Sequence, residues 1–168
     1  NGGEEMRLKL FFELENNTLD IQYRKGIISW IKHRLQEYDE NLYQEIYQGN
    51  QKKTFSFAPI LSKPKFEKKI TMQDAQFSIL FSAYNYSHAL HLYNSFLKQR
   101  LKKFPLYQNS MTLKNIIMLP EKEIKTDQII IKTSSPIIVR NHNRETLKDM
   151  YYAFDREEFE TYLNINIA

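Results

Sequence analysis

The chain opens with a stretch in which apolar and polar residues alternate, and this alternation predicts a β-strand. Over residues 6–14, Leu8 and Leu10 fall on one side, while Arg7 and Lys9 fall on the other. An alternating strand of this kind has one buried face and one exposed face. The first element is therefore predicted to lie in a sheet with one side against the core.

The hydrophobic spacing then becomes helical in two places. Residues 20–38 and residues 86–104 each carry apolar side chains three and four positions apart, which predicts two amphipathic helices. Asp20 is the predicted N-cap of the first helix. The predicted apolar arc of the first helix is Ile27, Ile28, Ile31, Leu35 and Tyr38, and that of the second is Ala89, Leu90, Tyr93, Phe96, Leu97 and Leu101.

Further apolar runs predict the other strands of a sheet. Strands are predicted over residues 54–58, 65–70, 77–83 and 110–119, with a short helix over residues 42–47. The resulting order of strand, helix, strand pair, strand, helix, strand is typical of the α+β ferredoxin-like fold, in which two helices cover one face of an antiparallel sheet. One such domain is predicted for residues 6–119, after a leader of residues 1–5.

The remainder of the chain predicts the beginning of a second domain of the same type. Residues 120–127 are charged and aperiodic, and we interpret them as a linker. Strands are predicted over residues 128–133 and 136–140, and a helix over residues 155–163 with Asp155 as its N-cap. These elements are too few to close a sheet, so we interpret residues 128–168 as an incomplete, truncated ferredoxin-like domain.

The composition indicates a folded, soluble protein but does not by itself identify a function. The 168 residues are 42% hydrophobic and 26% charged, as in a folded, soluble protein. Cysteine is absent and the first residues lack the pattern of a signal peptide, which together favour a cytoplasmic location. No apolar run approaches the roughly 18 residues of a membrane span, so no membrane association is expected. The net charge of +4 permits a polyanionic partner.

The most informative stretch lies near the end, where an apolar strand is predicted to run into a basic loop. Arg140, His142 and Arg144 fall within five residues there. Beside a bound phosphate, such a histidine could exchange a proton near neutral pH. The other interpretation is that these residues only make a loop or hairpin polar. His142 is the first candidate for a catalytic residue.

The other histidines are weaker candidates. His33 lies on the polar side of the first helix, where it is either a solvated residue or a catalytic or RNA-contacting group. His88 and His91 are three residues apart, but no acidic residue lies in the same helical turn, so no metal site is predicted. The glycine-rich signatures of nucleotide and dinucleotide sites are absent, and no cofactor is expected.

Basic residues occur in short clusters along the chain, interleaved with eleven tyrosines and eleven phenylalanines. Unpaired RNA is held by cations on its phosphates and by aromatic rings stacked on its bases. The interleaving therefore favours an RNA-binding surface. The predicted RNA-binding residues are Arg24, Lys53, Arg140, Arg144 and Tyr151, and further aromatic candidates are Tyr23, Tyr47, Tyr107 and Tyr152.

Several segments, taken in order, resemble a known family. They are Met-Arg-Leu-Lys-Leu at residues 6–10, Asp-Ile-Gln-Tyr-Arg at 20–24, Phe-Ser-Phe at 55–57, Asn-Ser-Met-Thr-Leu-Lys-Asn at 109–115 and Ser-Pro-Ile-Ile-Val-Arg at 135–140. They resemble the CRISPR-associated endoribonucleases that cut repeat RNA into guide RNAs, members of the repeat-associated RNA-binding (RAMP) superfamily. The resemblance implies two ferredoxin-like domains, CRISPR repeat RNA as a partner, and other subunits of a CRISPR effector complex as further partners.

The resemblance also implies a metal-independent reaction. In that family the ribose 2′-hydroxyl attacks the adjacent phosphate, and the products are a 2′,3′-cyclic phosphate and a 5′-hydroxyl. A histidine commonly acts as general acid or base, helped by a tyrosine and by a cation that stabilises the phosphate charge. The catalytic set expected here is His142 first and His33 second, with Tyr47, Lys52 and Arg140 as helpers.

One departure from the family concerns its glycine-rich RNA-binding loop. No glycine follows Gly49, so the chain is expected to be a fragment that ends before this loop, or else a member that does not cut. Two other functions stay open, namely a non-catalytic RNA-binding subunit and a ferredoxin-like module for protein assembly. Unpaired strand edges in the second domain also make a homodimer an expectation.

Overall fold

The structure is a computed structural model that describes residues 6–48, 53–120, 125–131, 133, 137–143 and 145–167. The chain divides into two compact units, Asn1–Lys122 (unit 1) and Glu123–Ala168 (unit 2), and each is described by itself. The leader predicted at residues 1–5 lies outside the described residues, and the predicted linker and domain boundaries stay predictions. In the described parts of the chain, no helix is long and apolar enough to cross a membrane.

Unit 1 is built around a five-stranded antiparallel sheet. Its elements are β1 (Met6–Leu14), β2 (Thr18–Leu19), α1 (Tyr23–Tyr38), α2 (Glu40–Tyr47), β3 (Phe55–Leu61), β4 (Lys65–Phe66), β5 (Ile70–Thr71), β6 (Gln76–Ala83), α3 (Tyr86–Lys98), β7 (Lys103–Leu106) and β8 (Asn109–Leu119). The strand order in the sheet is β3-β6-β1-β8-β7. With α1 and α3 this is the split strand-helix-strand order, so the predicted α+β ferredoxin-like class is confirmed.

One face of the sheet is buried under the helices. Leu8 and Leu10 of β1 are fully buried, as the alternation along that strand predicts. Phe12 meets the indole of Trp30 from α1 edge-on, with ring centroids 5.1 Å apart. Trp30 in turn stacks on Phe96 of α3, with centroids 4.8 Å apart. The core of unit 1 is therefore an aromatic contact between the sheet and both long helices.

The first helix differs from its prediction at its start and in its buried side. α1 begins at Tyr23 with Gln22 as N-cap, so Asp20 is not the cap. The Asp20 carboxylate instead accepts a hydrogen bond of 2.7 Å from the N–H of Gln22, which closes a turn before the helix. Ile28 is 39% exposed, whereas Trp30 is 2% exposed. The large indole takes the buried place because it has more apolar surface to remove from water.

The second long helix is shorter than predicted. α3 ends at Lys98 rather than at residue 104. Leu101 has a left-handed φ of 67°, and its N–H donates to the carbonyl of Leu113 at 2.9 Å. The chain turns there into β7, where Phe104 is buried. Leu101 and Phe104 keep helical spacing from Leu97, so the apolar pattern could not distinguish a longer helix from a turn followed by a strand.

The strand predicted over residues 65–70 is wrong. The chain forms a small hairpin of β4 and β5, closed by a bond of 3.1 Å from the N–H of Glu67 to the carbonyl of Lys69. β5 also pairs with β2, which gives a separate three-stranded sheet. Ile70 is 1% exposed and anchors this hairpin to the core. The charged residues that the prediction placed inside a strand form the turn.

The described part of unit 2 contains a two-stranded hairpin and a helix. Its elements are β9 (Ile138–Asn143), β10 (Lys148–Ala153) and α4 (Phe159–Ile167). Tyr162 of α4 stacks on Tyr152 of β10, with ring centroids 5.2 Å apart. The Tyr162 hydroxyl also accepts a hydrogen bond of 2.7 Å from the Asn141 amide of β9. These contacts show that α4 covers one face of the hairpin.

Several predictions for unit 2 are wrong. The described residues 128–131 and 133 form no strand. The helix begins at Phe159, and Asp155 lies in a turn rather than at an N-cap. The N–H groups of Arg156 and Phe159 close two successive turns before the helix, which is why it starts late. β10 was not predicted, because its residues are mostly exposed and lack a clear alternation of apolar and polar positions.

Candidate functional site

The exposed face of the β9–β10 hairpin gathers four polar side chains. We call them the His142 cluster: Arg140, His142, Asp149 and Tyr151. His142 lies opposite Asp149 in the antiparallel register, and Arg140 lies opposite Tyr151. Residues two apart on a strand share a face, so all four side chains point to the same side. The side chains of Arg140, His142 and Asp149 are 53%, 39% and 32% exposed.

The Asp149 carboxylate is the centre of the His142 cluster. Nδ1 of His142 lies 2.8 Å from Oδ1 of Asp149, and Nε of Arg140 lies 3.4 Å from the same oxygen. The Tyr151 hydroxyl lies 3.5 Å from Oδ2. The hydrogen bond with His142 is the main cause that lowers the pKa of Asp149, and the positive charge of Arg140 also lowers it. An ionised Asp149 holds the imidazole at Nδ1 and leaves Nε2 for another group.

His142 lies on a strand, and the prediction that placed it in a loop is wrong. The hairpin turns just after it, where the Asn143 side chain accepts bonds of 2.9 Å from the N–H groups of Glu145 and Thr146. Asp149, the partner of His142, cannot be recognised without β10, which the apolar pattern does not predict. An asparagine that can close such a turn is the signal that could have revealed the hairpin and its register.

A second group of side chains, the Tyr47 cluster, lies in unit 1 and consists of Lys32, Tyr47 and Lys53. The Nζ atoms of Lys32 and Lys53 lie 4.9 Å and 4.6 Å from the centroid of the Tyr47 ring. Lys53 Nζ also donates a hydrogen bond of 2.7 Å to the carbonyl of Ile46. That carbonyl is at the C-terminal end of α2, where the helix dipole favours a cation. Two ammonium groups therefore meet at one aromatic ring.

Tyr47 is partly buried against other aromatic residues. Its ring centroid lies 5.2 Å from that of Tyr43 and 6.5 Å from that of Phe55. Burial, with a smaller contribution from the neighbouring Tyr43, raises the pKa of Tyr47 to about 12. The hydroxyl therefore stays protonated at neutral pH, where it can donate a hydrogen bond but cannot accept a proton as a base does.

Two further predicted residues on α1 have other neighbours. Nε2 of His33 lies 3.7 Å from Oε1 of Glu37, and the His33 ring centroid lies 5.7 Å from that of Phe104. The guanidinium of Arg24 lies 5.9 Å from the centroid of the Tyr23 ring, at the start of the helix. Within unit 1 the structure thus brings Tyr47 together with Lys53, and within unit 2 it brings His142 together with Arg140 and Tyr151. The contacts found for His33 and Arg24 are with Glu37, Phe104 and Tyr23.

Two predicted residues, Lys52 and Arg144, lie outside the described residues. Across the described ranges, no group of three or more histidine or acidic side chains is placed to hold a metal ion. His88 and His91, which have helical spacing, have different partners. Nδ1 of His88 lies 2.9 Å from the Thr54 hydroxyl, whereas the His91 ring meets the ring of Tyr38.

A protein family matches the C-terminal part of the chain. Residues 119–168 match the family described as CRISPR associated protein Cas6, C-terminal. The predicted resemblance is confirmed. The Cas6 match includes all four residues of the His142 cluster. No curated protein sequence matches the chain.

Solved structures of Cas6 and RAMP proteins have the same fold. A structure named CRISPR associated protein Cas6 is 20% identical with a TM-score of 0.69, and the match covers 98% of this chain and 69% of the other. A second, titled as a RAMP protein binding different RNA substrates, is 19% identical with a TM-score of 0.73, covering 95% and 66%. A third, from a Cas6-related gene of Pyrococcus furiosus, is 19% identical with a TM-score of 0.72, covering 96% and 68%. The chain thus has a Cas6-like fold and spans about two thirds of the length of these proteins.

Proposed function

We propose that this protein binds CRISPR repeat RNA and cuts it without a metal ion. The Cas6 family match over residues 119–168 and the Cas6-like fold support RNA as the substrate. The observation that carries the chemistry is the contact of 2.8 Å between Nδ1 of His142 and Oδ1 of Asp149. A histidine held at Nδ1 by a carboxylate presents Nε2 to a substrate and can act there as general base and acid.

The proposed reaction begins at the ribose 2′-hydroxyl beside the phosphate to be cut. Nε2 of His142 accepts the hydroxyl proton while O2′ forms a bond to phosphorus. The bond from phosphorus to O5′ breaks, and the leaving oxygen takes a proton from the imidazolium or from water. The guanidinium of Arg140 stabilises negative charge on the phosphoryl oxygens. The products are a 2′,3′-cyclic phosphate and a 5′-hydroxyl, and no oxidant or cofactor is needed.

We assign the Tyr47 cluster to RNA binding rather than to proton transfer. Lys32 and Lys53 supply two positive charges for backbone phosphates. The Tyr47 hydroxyl, whose pKa is raised to about 12, supplies a hydrogen-bond donor to a phosphate oxygen. Because the Tyr47 hydroxyl stays protonated at neutral pH, the cluster supports holding RNA better than it supports the cutting step.

A second candidate function is RNA binding without cutting. One observation favours it: the side chains of His142 and Arg140 are 39% and 53% exposed, so the His142 cluster itself does not exclude water. In that case the same residues would contact phosphates only. The two functions predict the same affinity for repeat RNA and differ in the products.

The test is incubation of the full-length protein with labelled repeat RNA in EDTA, with products resolved by size and end chemistry. We expect the unaltered protein to cut at one site. We expect His142→Ala to cut at least about a hundredfold more slowly while its RNA affinity stays within about twofold. His91→Ala, which removes a histidine from α3, is the control and should cut normally.

Each other outcome corrects a separate part of the proposal. Tight binding with no cutting by the unaltered protein would favour the second candidate. Normal cutting by His142→Ala would overturn the catalytic assignment, and loss of cutting in Tyr47→Phe or His33→Ala would move the reacting phosphate to unit 1. Failure to bind repeat RNA at moderate salt would overturn the proposal as a whole, because phosphate contacts dominate such affinities.

A further inference from the structure

His88 on α3 forms a bridge to α2 and to the residue before β3. Its Nδ1 lies 2.9 Å from the Oγ1 of Thr54, and its Nε2 lies 3.2 Å from the Oε1 of Glu45. The His88 side chain is only 13% exposed, although that of Glu45 is 66% exposed. The imidazole on α3 is therefore bonded both to α2 and to the residue before β3.

Both partners of His88 adjoin the Tyr47 cluster along the chain. Glu45 comes two residues before Tyr47 on α2, and Thr54 directly follows Lys53. One bond therefore restrains the helix that carries the aromatic ring, and the other restrains the segment that carries the ammonium group. Because the Nζ of Lys53 is 4.6 Å from the Tyr47 ring centroid, small shifts of either segment would separate them.

The bridge rests on a rigid support. The backbone N–H of His88 donates a bond of 3.0 Å to the side chain of Asn85, the N-cap of α3. The Thr54 carbonyl accepts a bond of 3.1 Å from the N–H of Tyr84, just before that cap. Phe96, further along α3, is fully buried in the core. A side chain fixed in this way can hold its partners in one geometry.

We propose that His88 is a positioning residue that holds Lys53 against Tyr47 for RNA binding, an inference that rests on the proposed role of the Tyr47 cluster. A neutral imidazole has one donor nitrogen and one acceptor nitrogen. Because a carboxylate can only accept, the tautomer with its proton on Nε2 forms both bonds together: Nε2–H donates to Glu45, and the Thr54 hydroxyl donates to Nδ1. We expect the shorter amide of asparagine to reach only the Thr54 side, and the longer amide of glutamine to reach toward Glu45.

Three substitutions of His88 separate these bonds. His88→Leu fills similar space and removes both bonds, His88→Asn keeps the bond to Thr54, and His88→Gln keeps the bond to Glu45. His91→Leu, which replaces the next histidine on the same helix, is the matched control. Thermal unfolding is measured for each variant, and the asparagine and glutamine variants carry the test if the leucine variant does not fold.

The first readout needs no RNA. NMR of labelled lysine reports Lys53, whose side-chain protons near the Tyr47 ring are shifted by its ring current. Lys53→Gln assigns that signal by removing it, which distinguishes it from the signal of Lys32 near the same ring. We expect the shift to decrease toward that of free lysine in His88→Leu, to recover in part in His88→Asn, and to stay unchanged in His91→Leu. An unchanged Lys53 signal in all three His88 variants would overturn the inference.

The second readout is affinity for repeat RNA. We expect His88→Leu to bind about three- to tenfold more weakly, the range that loss of one or two hydrogen bonds gives, with partial recovery in His88→Asn. Unchanged affinity with a displaced Lys53 would overturn the role of His88 in RNA binding. If the unaltered protein binds no RNA, the proposed function fails, and the Lys53 signal still decides whether His88 positions this side chain.

Discussion

The His142 cluster and the Tyr47 cluster differ in how far apart their residues lie in the sequence. The first lies on one hairpin, between residues 140 and 151. The second draws Lys32 from α1, Tyr47 from the end of α2 and Lys53 from the chain before β3. A strand pairing therefore assembles the first cluster, and the tertiary packing of unit 1 assembles the second.

The two clusters also differ in what holds their geometry. The Arg140 and Asp149 charges are solvent-exposed, and exposed ion pairs contribute little to stability. Their arrangement depends instead on the hairpin register and on the stacking of Tyr152 with Tyr162. The Tyr47 cluster depends on helices that pack through the core. A core substitution in unit 1 should therefore disturb the Tyr47 cluster strongly. Removal of any single surface charge should disturb the His142 cluster far less.

The largest effect is expected for Trp30→Ala. The Trp30 side chain is 2% exposed and packs between Phe12 and Phe96. Its loss should lower the free energy of unfolding by about 3–5 kcal/mol, because both burial and packing are lost and a cavity is left. Denaturant unfolding followed by circular dichroism measures this change, and the Lys53 signal should be displaced in the same variant.

Two variants make this prediction specific. Ile21→Ala removes a side chain that is 56% exposed and should change stability by no more than about 0.5 kcal/mol. Tyr152→Ala removes one stacked ring of unit 2 and should destabilise the protein less than Trp30→Ala does. An equal loss from Tyr152→Ala would show that unit 2 is as strongly packed as unit 1, contrary to the comparison.

Asp149→Asn should have the next largest effect, and only on cutting. The amide of asparagine lacks the charge of the carboxylate and no longer fixes one tautomer of His142. We expect the single-turnover rate of RNA cleavage to fall by about tenfold or more, while affinity for RNA changes by less than about twofold. Asp155→Asn, which alters another exposed acid of unit 2, should cut at the normal rate. A large loss of affinity in Asp149→Asn would mean that the carboxylate shapes binding instead.

Lys53→Gln should change RNA binding rather than cutting. Removal of one phosphate contact should reduce the slope of log affinity against log salt by about 0.7, the value for single-stranded RNA or DNA. Lys25→Gln is the control, because Lys25 is exposed and bonds to Gln22 at 2.9 Å. Equal slopes for Lys53→Gln and Lys25→Gln would exclude a specific phosphate contact at the Tyr47 cluster.

The fold was largely predictable from hydrophobic spacing, and the predictions failed where that spacing is ambiguous or absent. The alternation that gives β1 and the helical spacing that gives α1 reflect burial, so both appear in the sequence. The end of α3 does not appear in the sequence, because Leu101 and Phe104 keep helical spacing across a turn. β10 does not appear in the sequence either, because a mostly exposed strand has no buried face and so no alternation of apolar and polar residues.

The sequence drew attention to several residues of the two clusters but not to their partners. Local composition drew attention to Arg140 and His142. The resemblance to a known family drew attention to Tyr47. Asp149 and Lys32 were missed as partners, because each joins its cluster through a pairing or a packing contact that no local pattern records. Such contacts depend on register and helix rotation, which the sequence alone leaves undetermined.

The smallest predicted effect distinguishes the clusters by the pH at which each loses stability. In the folded protein the pKa of Tyr47 is raised to about 12 from an ordinary 10.0. The contribution of its protonated hydroxyl to the free energy of unfolding is therefore complete below pH 10 and is lost as pH rises toward 12. The pKa of Asp149 is lowered from 3.8, so the contribution of its carboxylate to the free energy of unfolding is complete above pH 3.8 and is lost in acid.

The alkaline part of this comparison can be measured by denaturant unfolding between pH 9 and the highest pH at which the protein stays folded. We expect the unaltered protein to lose stability relative to Tyr47→Phe above about pH 10, because only the unaltered protein carries the perturbed hydroxyl. Tyr84→Phe replaces a tyrosine that is 63% exposed and should follow the unaltered protein throughout. Parallel curves for all three proteins would show that the Tyr47 hydroxyl is hydrated, and the two clusters would then be equally open to water.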